Sequence, residues 1–257
     1  MQRTFTRAQL HEFYRQWQGP RLLERLGQAW LEPDQRQCIR AAQSAVPIVD
    51  NGEQCLPIPQ SLARFEPAPY LSLGAPYGDA SPYWVRASLL PKLLRADAAL
   101  QTQGLRLKIF DIYRPLAVQQ FMVDHTITSL VQQYTQKLSQ CAEAELAQVR
   151  LECEIQALSI WAPPENDPKM PPPHSTGSAI DVTLTTLAGE PVSMGVPIDS
   201  LGAPSAPWFY DASAIPKEQT YAHHRQLLAT AMTSQGFALC PFEYWHFSYG
   251  DQWWALL

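Results

Sequence analysis

The chain has 257 residues, 46% of them hydrophobic and 17% charged, with a formal net charge of -5 at neutral pH. That length and apolar content allow one large domain or two small ones and exclude a disordered chain. The 19 lysines and arginines are scattered rather than clustered, which argues against nucleic acid as a partner, because neutralising phosphates takes a basic face.

Cys38, Cys55, Cys141, Cys153 and Cys240 are odd in number and form no CxxC. Neither a disulfide framework nor a thiolate zinc site is signalled, and all five read as free, mostly buried thiols. Residues 1–14 carry no apolar leader-like run, and no apolar stretch is long enough to span a bilayer. The expectation is a cytoplasmic enzyme with no membrane partner, acting on a small ligand.

Residues 6–30 place Leu10, Phe13, Tyr14, Trp17, Leu22, Leu23, Leu26 and Trp30 at helical spacing, interrupted at Gly19 Pro20. They predict two short helices that pack as an N-terminal appendage over residues 1–32. Residues 33–82 are rich in proline and glycine and predict a loop-dominated segment with one or two short strands. From it Tyr70, Tyr77 and Tyr83 could line a pocket or simply pack.

Residues 87–103 predict a helix closed by Gly104. Residues 105–112 alternate Leu105, Leu107 and Ile109 with Arg106 and Lys108, the pattern of a strand. The strand runs into Asp111 Ile112 Tyr113 Arg114 Pro115, whose proline suits the first turn of a new helix. Asp111, Tyr113 and Arg114 then stand at a strand end, where they contact substrate or, for Arg114, pair with a nearby carboxylate for stability.

Residues 116–160 read as one long helix or two stacked ones, and with the proline-rich loop to residue 171 they form a helical insertion. His125 within it reads as a surface or core histidine. A strand follows Asp181 through Val182 and Leu184, a turn comes at Ala188 Gly189 Glu190 Pro191, and residues 192–194 are expected to pair back as a hairpin. Residues 219–235 predict a helix closed by Gly236, with Leu227, Leu228, Ala231 and Met232 inward; His223 and His224 on it lack metal-binding spacing. Residues 237–240 predict a last strand. The sum is one α+β domain over residues 1–257, a central, mostly antiparallel sheet flanked by helices.

The chemistry concentrates in Pro171 Pro172 Pro173 His174 Ser175 Thr176 Gly177 Ser178 Ala179 Ile180 Asp181. An imidazole and a carboxylate are mounted beside a turn, short of the three protein ligands that a catalytic zinc takes. Glu243 Tyr244 Trp245 His246 supplies a second imidazole and another carboxylate in an aromatic setting. Zinc accepts imidazole nitrogen and carboxylate oxygen together, and such a shell leaves a position for a water whose proton a nearby glutamate can take. Each part alone has a plainer reading, since a histidine in a proline-rich loop is commonly structural and ExxH occurs by chance.

Three separated motifs resemble the D-alanyl-D-alanine dipeptidases of the zinc peptidase family M15. Asp111 to Pro115 resembles DxYRP, His174 to Asp181 resembles HxxGxAxD, and Glu243 to His246 resembles EWWH, in the same order and with similar wide spacing. The likeness runs from about residue 83 to residue 247. It implies a hedgehog- and D,D-peptidase-like fold, one zinc ion on His174, Asp181 and His246, Glu243 as general base and acid, and Arg114 as the group that stabilises the oxyanion. Met194 Gly195 Val196 Pro197 Ile198 Asp199 resembles MGxxFD, which implies Asp199 near the substrate's ammonium, with Asp111 supporting the site or contacting substrate. The implied substrate is a small dipeptide, selected by a closed cavity that reads both charged ends.

Two positions depart from the family pattern: Pro172 stands where a serine is usual, and Tyr244 replaces a tryptophan. Two other functions fit the same scaffold, a D,D-carboxypeptidase trimming peptidoglycan peptides and a non-catalytic binding module. The second would be marked by loss of Glu243 or Arg114, and both are present.

Overall fold

The computed structural model describes residues 43, 45–137 and 143–257. The helices expected in residues 6–30, and the appendage they would form, lie outside the described residues, as do Cys38 and Cys141.

Two short strands, β1 (Cys55–Pro57) and β3 (Trp84–Arg86), pair as an antiparallel ribbon. The central sheet has five strands, β2 (Ala63–Arg64), β4 (Leu105–Asp111), β5 (Ala179–Thr186), β7 (His246–Ser248) and β6 (Ala238–Leu239), adjacent in that order. The β2–β4 pairing is parallel and the other three are antiparallel. The helices are α1 (Pro69–Ser72), α2 (Leu90–Gln101), α3 (Leu116–Lys137), α4 (Glu143–Ile160), α5 (Pro216–Thr233) and α6 (Gln252–Leu256). None of the described helices is long and apolar enough to cross a membrane. This is the expected α+β fold with a mostly antiparallel sheet and flanking helices, and of the two readings of residues 116–160 the two-helix one holds, as α3 and α4.

Side-chain alternation sorts the strands' residues between two cores. Leu107 and Ile109 of β4, with Ile180, Val182 and Leu184 of β5 and Phe247 of β7, pack into one cluster with Leu93, Ala96 and Leu100 of α2 and Leu228 and Met232 of α5. Phe110, on the opposite face of β4, packs instead with Tyr70, Val118, Met122 and Trp161 in a second cluster under α3 and α4. Cys153 and Cys240 are buried free thiols, and Cys55 is a partly buried one.

One irregularity sets up the site. The β4–β5 register shifts between Ile109 and Asp111, so that Ile109 opposes Val182 while Asp111 opposes Asp181. Without this bulge Asp111 would share the apolar face of Ile109; the extra residue turns it to the other face, a common use of bulges beside active sites. Asp181 in turn opposes His246 of β7. Asp111, Asp181 and His246 thus form one row across three adjacent strands.

The hairpin expected from residues 192–194 does not form. The turn at Gly189 is present, but the ladder stops at the single bridge of Thr185 with Pro191. The bonds flanking that bridge form, Thr186 N–H to the Glu190 oxygen at 2.9 Å and Val192 N–H to the Leu184 oxygen at 3.3 Å, but the Val182 N–H farther along β5 goes to the Trp245 oxygen at 3.0 Å. The next two carbonyls are taken by α5: His224 Nδ1 lies 2.8 Å from the Ser193 oxygen and Arg225 Nε donates to the Met194 oxygen at 2.8 Å.

Helix α2 is tied to β4 by buried Asp97. Its carboxylate accepts from the Leu107 N–H at 2.9 Å, Arg106 Nη2 at 2.7 Å and Gln101 Nε2 at 2.8 Å. The variant Asp97→Ala strands the buried Leu107 N–H and is expected to lose about 2–3 kcal/mol of stability, the cost of an unsatisfied donor plus the lost charged bonds. Urea denaturation checks this: the midpoint should fall with an unchanged m-value.

Candidate active site

His174 is carried by a 3-10 turn, Pro173–Thr176, that ends at Gly177 with φ of +71°. Gly177 is required there twice over, because φ is positive and an added Cβ would lie 2.9 Å from Cys55 Sγ. The turn is fastened to the residues that follow β4. The Arg114 N–H donates to the His174 oxygen at 3.2 Å, and Ser175 Oγ donates to the Arg114 oxygen at 2.8 Å. His174 Nδ1 lies 2.8 Å from the Ile112 carbonyl oxygen. A carbonyl only accepts, so Nδ1 carries the proton and Nε2 is left with a free lone pair.

That lone pair faces the other two donors. His174 Nε2 is 3.2 Å from Asp181 Oδ2 and 3.2 Å from His246 Nδ1, and His246 Nδ1 is 3.1 Å from Asp181 Oδ1. All three residues are buried and form a potential metal-holding group. Ligand atoms at about 2.0–2.1 Å from a tetrahedral ion sit roughly 3.3 Å apart, so these spacings fit such an ion. The electrostatics agree. Burial alone would raise the Asp181 pKa, but His174 and His246 outweigh it and hold the carboxyl well below the usual range. Burial would lower the His246 pKa, and the Asp181 hydrogen bond and charge raise it instead. The position favours positive charge.

His246 is oriented from behind. Its Nε2 lies 3.5 Å from Ser248 Oγ, and that hydroxyl donates to Asp251 Oδ2 at 2.7 Å. Since the hydroxyl proton goes to the carboxylate, the oxygen is left to accept from Nε2–H, which frees Nδ1 for the cluster. Asp251 also caps α6, accepting the Trp254 N–H at 2.9 Å.

Arg114 is buried beside this group. Its Nε and Nη2 donate to Asp111 Oδ2 at 3.0 and 2.8 Å, Nη2 to Asp181 Oδ2 at 3.3 Å, and Nη1 to Gln119 Oε1 at 3.0 Å. Its Cζ stands 4.9 Å from the Tyr70 ring centre and 5.0 Å from that of Trp161. Burial opposes the charge on Arg114, and its neighbours, Tyr70 and Asp111 foremost, outweigh it and keep the guanidinium protonated. The pairing with carboxylates and the position beside the donor cluster therefore hold together.

Arg114, His174, Asp181, Asp199, Glu243 and His246 all line one cleft of about 70 Å³. Glu243 Oε2 is 3.8 Å from His246 Nδ1, with 13% of its side chain exposed. Asp199 adopts φ of 66°, unusual for a non-glycine residue. Its Oδ2 accepts from Tyr70 Oη at 2.9 Å. Burial, then the nearby Asp181 charge, pushes the Asp199 carboxyl up to about 8. Apolar walls come from Ile160, Trp161, Phe242, Trp245 and Trp253.

Asp111 stands behind the cleft rather than in its lining, where Tyr77 Oη donates to it at 2.9 Å and Arg114 pairs with it. Tyr113 is outside the lining too, its ring stacked on Trp84 with centroids 6.3 Å apart. Pro172 is buried and does not line the cleft, whereas Pro173 does. Gln119, Trp161, Ser248 and Asp251 belong to none of the motifs, and Tyr70, one of three tyrosines expected to line a pocket or pack, bonds to Asp199. Ser248 has a detectable signal, being two residues from His246 on a strand and so on the same face; Gln119 and Trp161 join the cleft lining only through tertiary packing.

A family model described as D-ala-D-ala dipeptidase, Peptidase_M15, matches residues 66–255. The D-alanyl-D-alanine dipeptidase of Synechocystis sp. (strain ATCC 27184 / PCC 6803 / Kazusa) is 41% identical over 220 residues, spanning 82% of this chain and 87% of that protein. Among solved structures, the LdcB LD-carboxypeptidase aligns at a TM-score of 0.42 and 16% identity, over 80% of this chain and 73% of its own. VanYB in complex with D-Alanine-D-Alanine aligns at a TM-score of 0.41 and 15% identity, over 80% and 82%. With the family model spanning most of its length and a relative at 41% identity, the chain belongs to the Peptidase_M15 family and is a hydrolase.

Proposed function

We propose that this chain is a zinc dipeptidase that hydrolyses D-alanyl-D-alanine to two D-alanines. The carrying observation is that the His174, Asp181 and His246 donors share one small cleft with Arg114, Asp199 and Glu243. Two nitrogens and one carboxylate oxygen at tetrahedral spacing suit zinc, which when bound acidifies a water toward neutrality and polarises a carbonyl. The name of the 41% identical relative supports the substrate. So does the cleft: about 70 Å³ is far below the ~300–1,000 Å³ of pockets for drug-sized ligands.

The chain's own groups divide the work by charge. Glu243, beside His246 at the cleft, takes the proton of the attacking water and passes it to the leaving amine. The Arg114 guanidinium, already fixed by Asp111 and Gln119, donates to the oxygen that becomes negative, an arrangement worth about 3–4 kcal/mol of transition-state stabilisation because little reorganisation is needed. Asp199 receives the substrate's free ammonium. Ile160, Trp161, Phe242, Trp245 and Trp253 exclude water around these groups.

The purified protein is expected to bind one zinc and release D-alanine from D-alanyl-D-alanine. The variant Glu243→Gln should retain zinc and lose on the order of 10³-fold in kcat. Full activity in that variant would sink the assignment, and faster cleavage of an N-acylated peptide than of the free dipeptide would favour a carboxypeptidase.

Metal retention depends on the support behind His246. Ser248→Ala is expected to weaken zinc affinity by roughly 10-fold or more, measured by chelator competition on folded protein. Activity should return at saturating zinc.

Recognition of the ammonium carries a pH signature. Burial and the Asp181 charge raise the Asp199 carboxyl, to about 8 in the site without an ion, and an ion on Asp181 would cancel part of that rise. Where Asp199 is the neutral acid, taking up an ammonium requires loss of its proton, so KM falls as pH rises through the Asp199 pKa and rises again once the substrate's own amine deprotonates. Asp199→Asn should remove the acidic limb and raise KM at every pH, checked by KM–pH profiles of the two proteins.

A further inference from the structure

Arg225 is a cation on the inward stripe of α5, only 3% exposed, and it makes no ion pair among the described residues. Asp211 acts on it only from beyond ion-pair distance; burying a charge with no anion in contact is costly, and an apolar side chain would fill the stripe beside Leu228 and Met232 more cheaply. The three guanidinium nitrogens instead reach three backbone carbonyls. Nε donates to Met194 at 2.8 Å, Nη1 to Ala206 at 2.6 Å and Nη2 to Pro204 at 2.8 Å. These oxygens lie on the two stems of one loop, residues 194–206, and Asp199 stands between them.

The same guanidinium bears on Tyr244, the neighbour of Glu243. Its Cζ is 4.3 Å from the Tyr244 ring centre and 4.7 Å from that of Tyr210. Tyr244 holds the loop as well, through its N–H to the Ser205 oxygen at 2.9 Å and its Oη to the Val196 oxygen at 2.8 Å. Gly195 presses so closely on Tyr210 that an added Cβ would lie 2.4 Å from that ring. A left-handed backbone at a non-glycine residue such as Asp199 costs about 1 kcal/mol or more and persists only where the surroundings over-determine it. Arg225 and Tyr244 supply that determination.

We propose that Arg225 is a positioning residue for recognition of the substrate's free amine: by clamping both stems of the 194–206 loop it holds the Asp199 carboxylate at the cleft. The proposal rests on the dipeptidase reading for the identity of the ligand. A lysine has one ammonium in place of a planar fork and cannot reach all three carbonyls, so Arg225→Lys should restore part of what Arg225→Met loses.

The test is kinetics and amide exchange on the zinc-loaded enzyme. Arg225→Met is expected to raise KM for D-alanyl-D-alanine by roughly tenfold, about 1.4 kcal/mol, with kcat within about threefold. Discrimination against the N-acetylated dipeptide should shrink, zinc content should stay unchanged, and amides of residues 194–206 should exchange faster. An unchanged KM with unchanged exchange in the loop overturns the proposal, as does a fall in kcat alone. A variant that only melts earlier, with native kinetics, assigns Arg225 a purely structural role and overturns it too. Absence of dipeptide hydrolysis by the wild-type protein would overturn the dipeptidase reading, while the exchange comparison would still decide whether Arg225 orders the loop.

Discussion

Carboxylates outnumber cations at this cleft, and much of the structure around it is a response to that imbalance. Asp111 and Asp181 are buried, Asp199 and Glu243 partly so, and Arg114 is the one arginine or lysine among the described lining residues. Each buried carboxylate loses hydration worth several kcal/mol, which attraction to a partner must offset. Arg114 offsets this for Asp111 and in part for Asp181. What remains is a deficit of positive charge that a divalent ion and a substrate ammonium would fill together. Asp181 and Asp199 respond differently. Asp181, flanked by two imidazoles, is held ionised, while Asp199 is pushed up to about 8. Groups of one chemical type with diverging pKa values are a mark of divided roles.

This charge pattern needs a backbone that can hold like charges close together, and the sheet provides it. Asp111, Asp181 and His246 are neighbours across three strands, so their spacing follows from strand pairing rather than from side-chain packing. The bulge before Asp111 is the one break in alternation, and it moves the carboxylate that anchors Arg114 away from the apolar core. His174 alone comes from outside the sheet. Its turn compensates by bonding to Ile112 and Arg114, residues that directly follow the bulge.

How much of this the sequence disclosed depended on the range of the interaction. His174, Asp181 and His246 draw notice because an imidazole and a carboxylate beside a turn, with a second imidazole in an ExxH, are metal-donor types, and the family likeness then joins them into one set. Arg114 stands out by its place at a strand end just before a helix, with two readings open, while Asp199 emerges only through family likeness, because nothing in its local pattern separates it from surface charges. Tyr113 is expected near substrate from its place with Asp111 and Arg114 at a strand end; in the structure its ring stacks on Trp84, outside the cleft lining. The missing strand at residues 192–194 failed for a long-range reason. Its carbonyls answer to His224 and Arg225, some thirty residues away, and no local pattern announces such capture. A cue for Arg225 did exist, a lone cation three residues from Leu228 on an otherwise apolar stripe.

The two sides of the cleft are built to different tolerances, and the division follows the chemistry. A metal shell accepts little error in ligand position, and the proposed donors sit on paired strands or on a turn bonded to them. An ammonium would be a point charge read by a single carboxylate, so the partner proposed for it, Asp199, can be carried on a loop. Loops, though, are ordinarily the least stable parts of a fold. The left-handed backbone at Asp199 and its raised pKa both work against stability, and the Arg225 clamp, the Tyr244 bonds and the Tyr70 hydroxyl hold the loop against them. That support comes mainly from α5 and Tyr244, but Arg114 Nη2 also donates to the Tyr70 hydroxyl at 3.4 Å, so the loop carrying Asp199 is joined through Arg114 to Asp111 and Asp181. On the proposed reading, substrate selection and bond cleavage meet there and at the adjacent pair Glu243 and Tyr244.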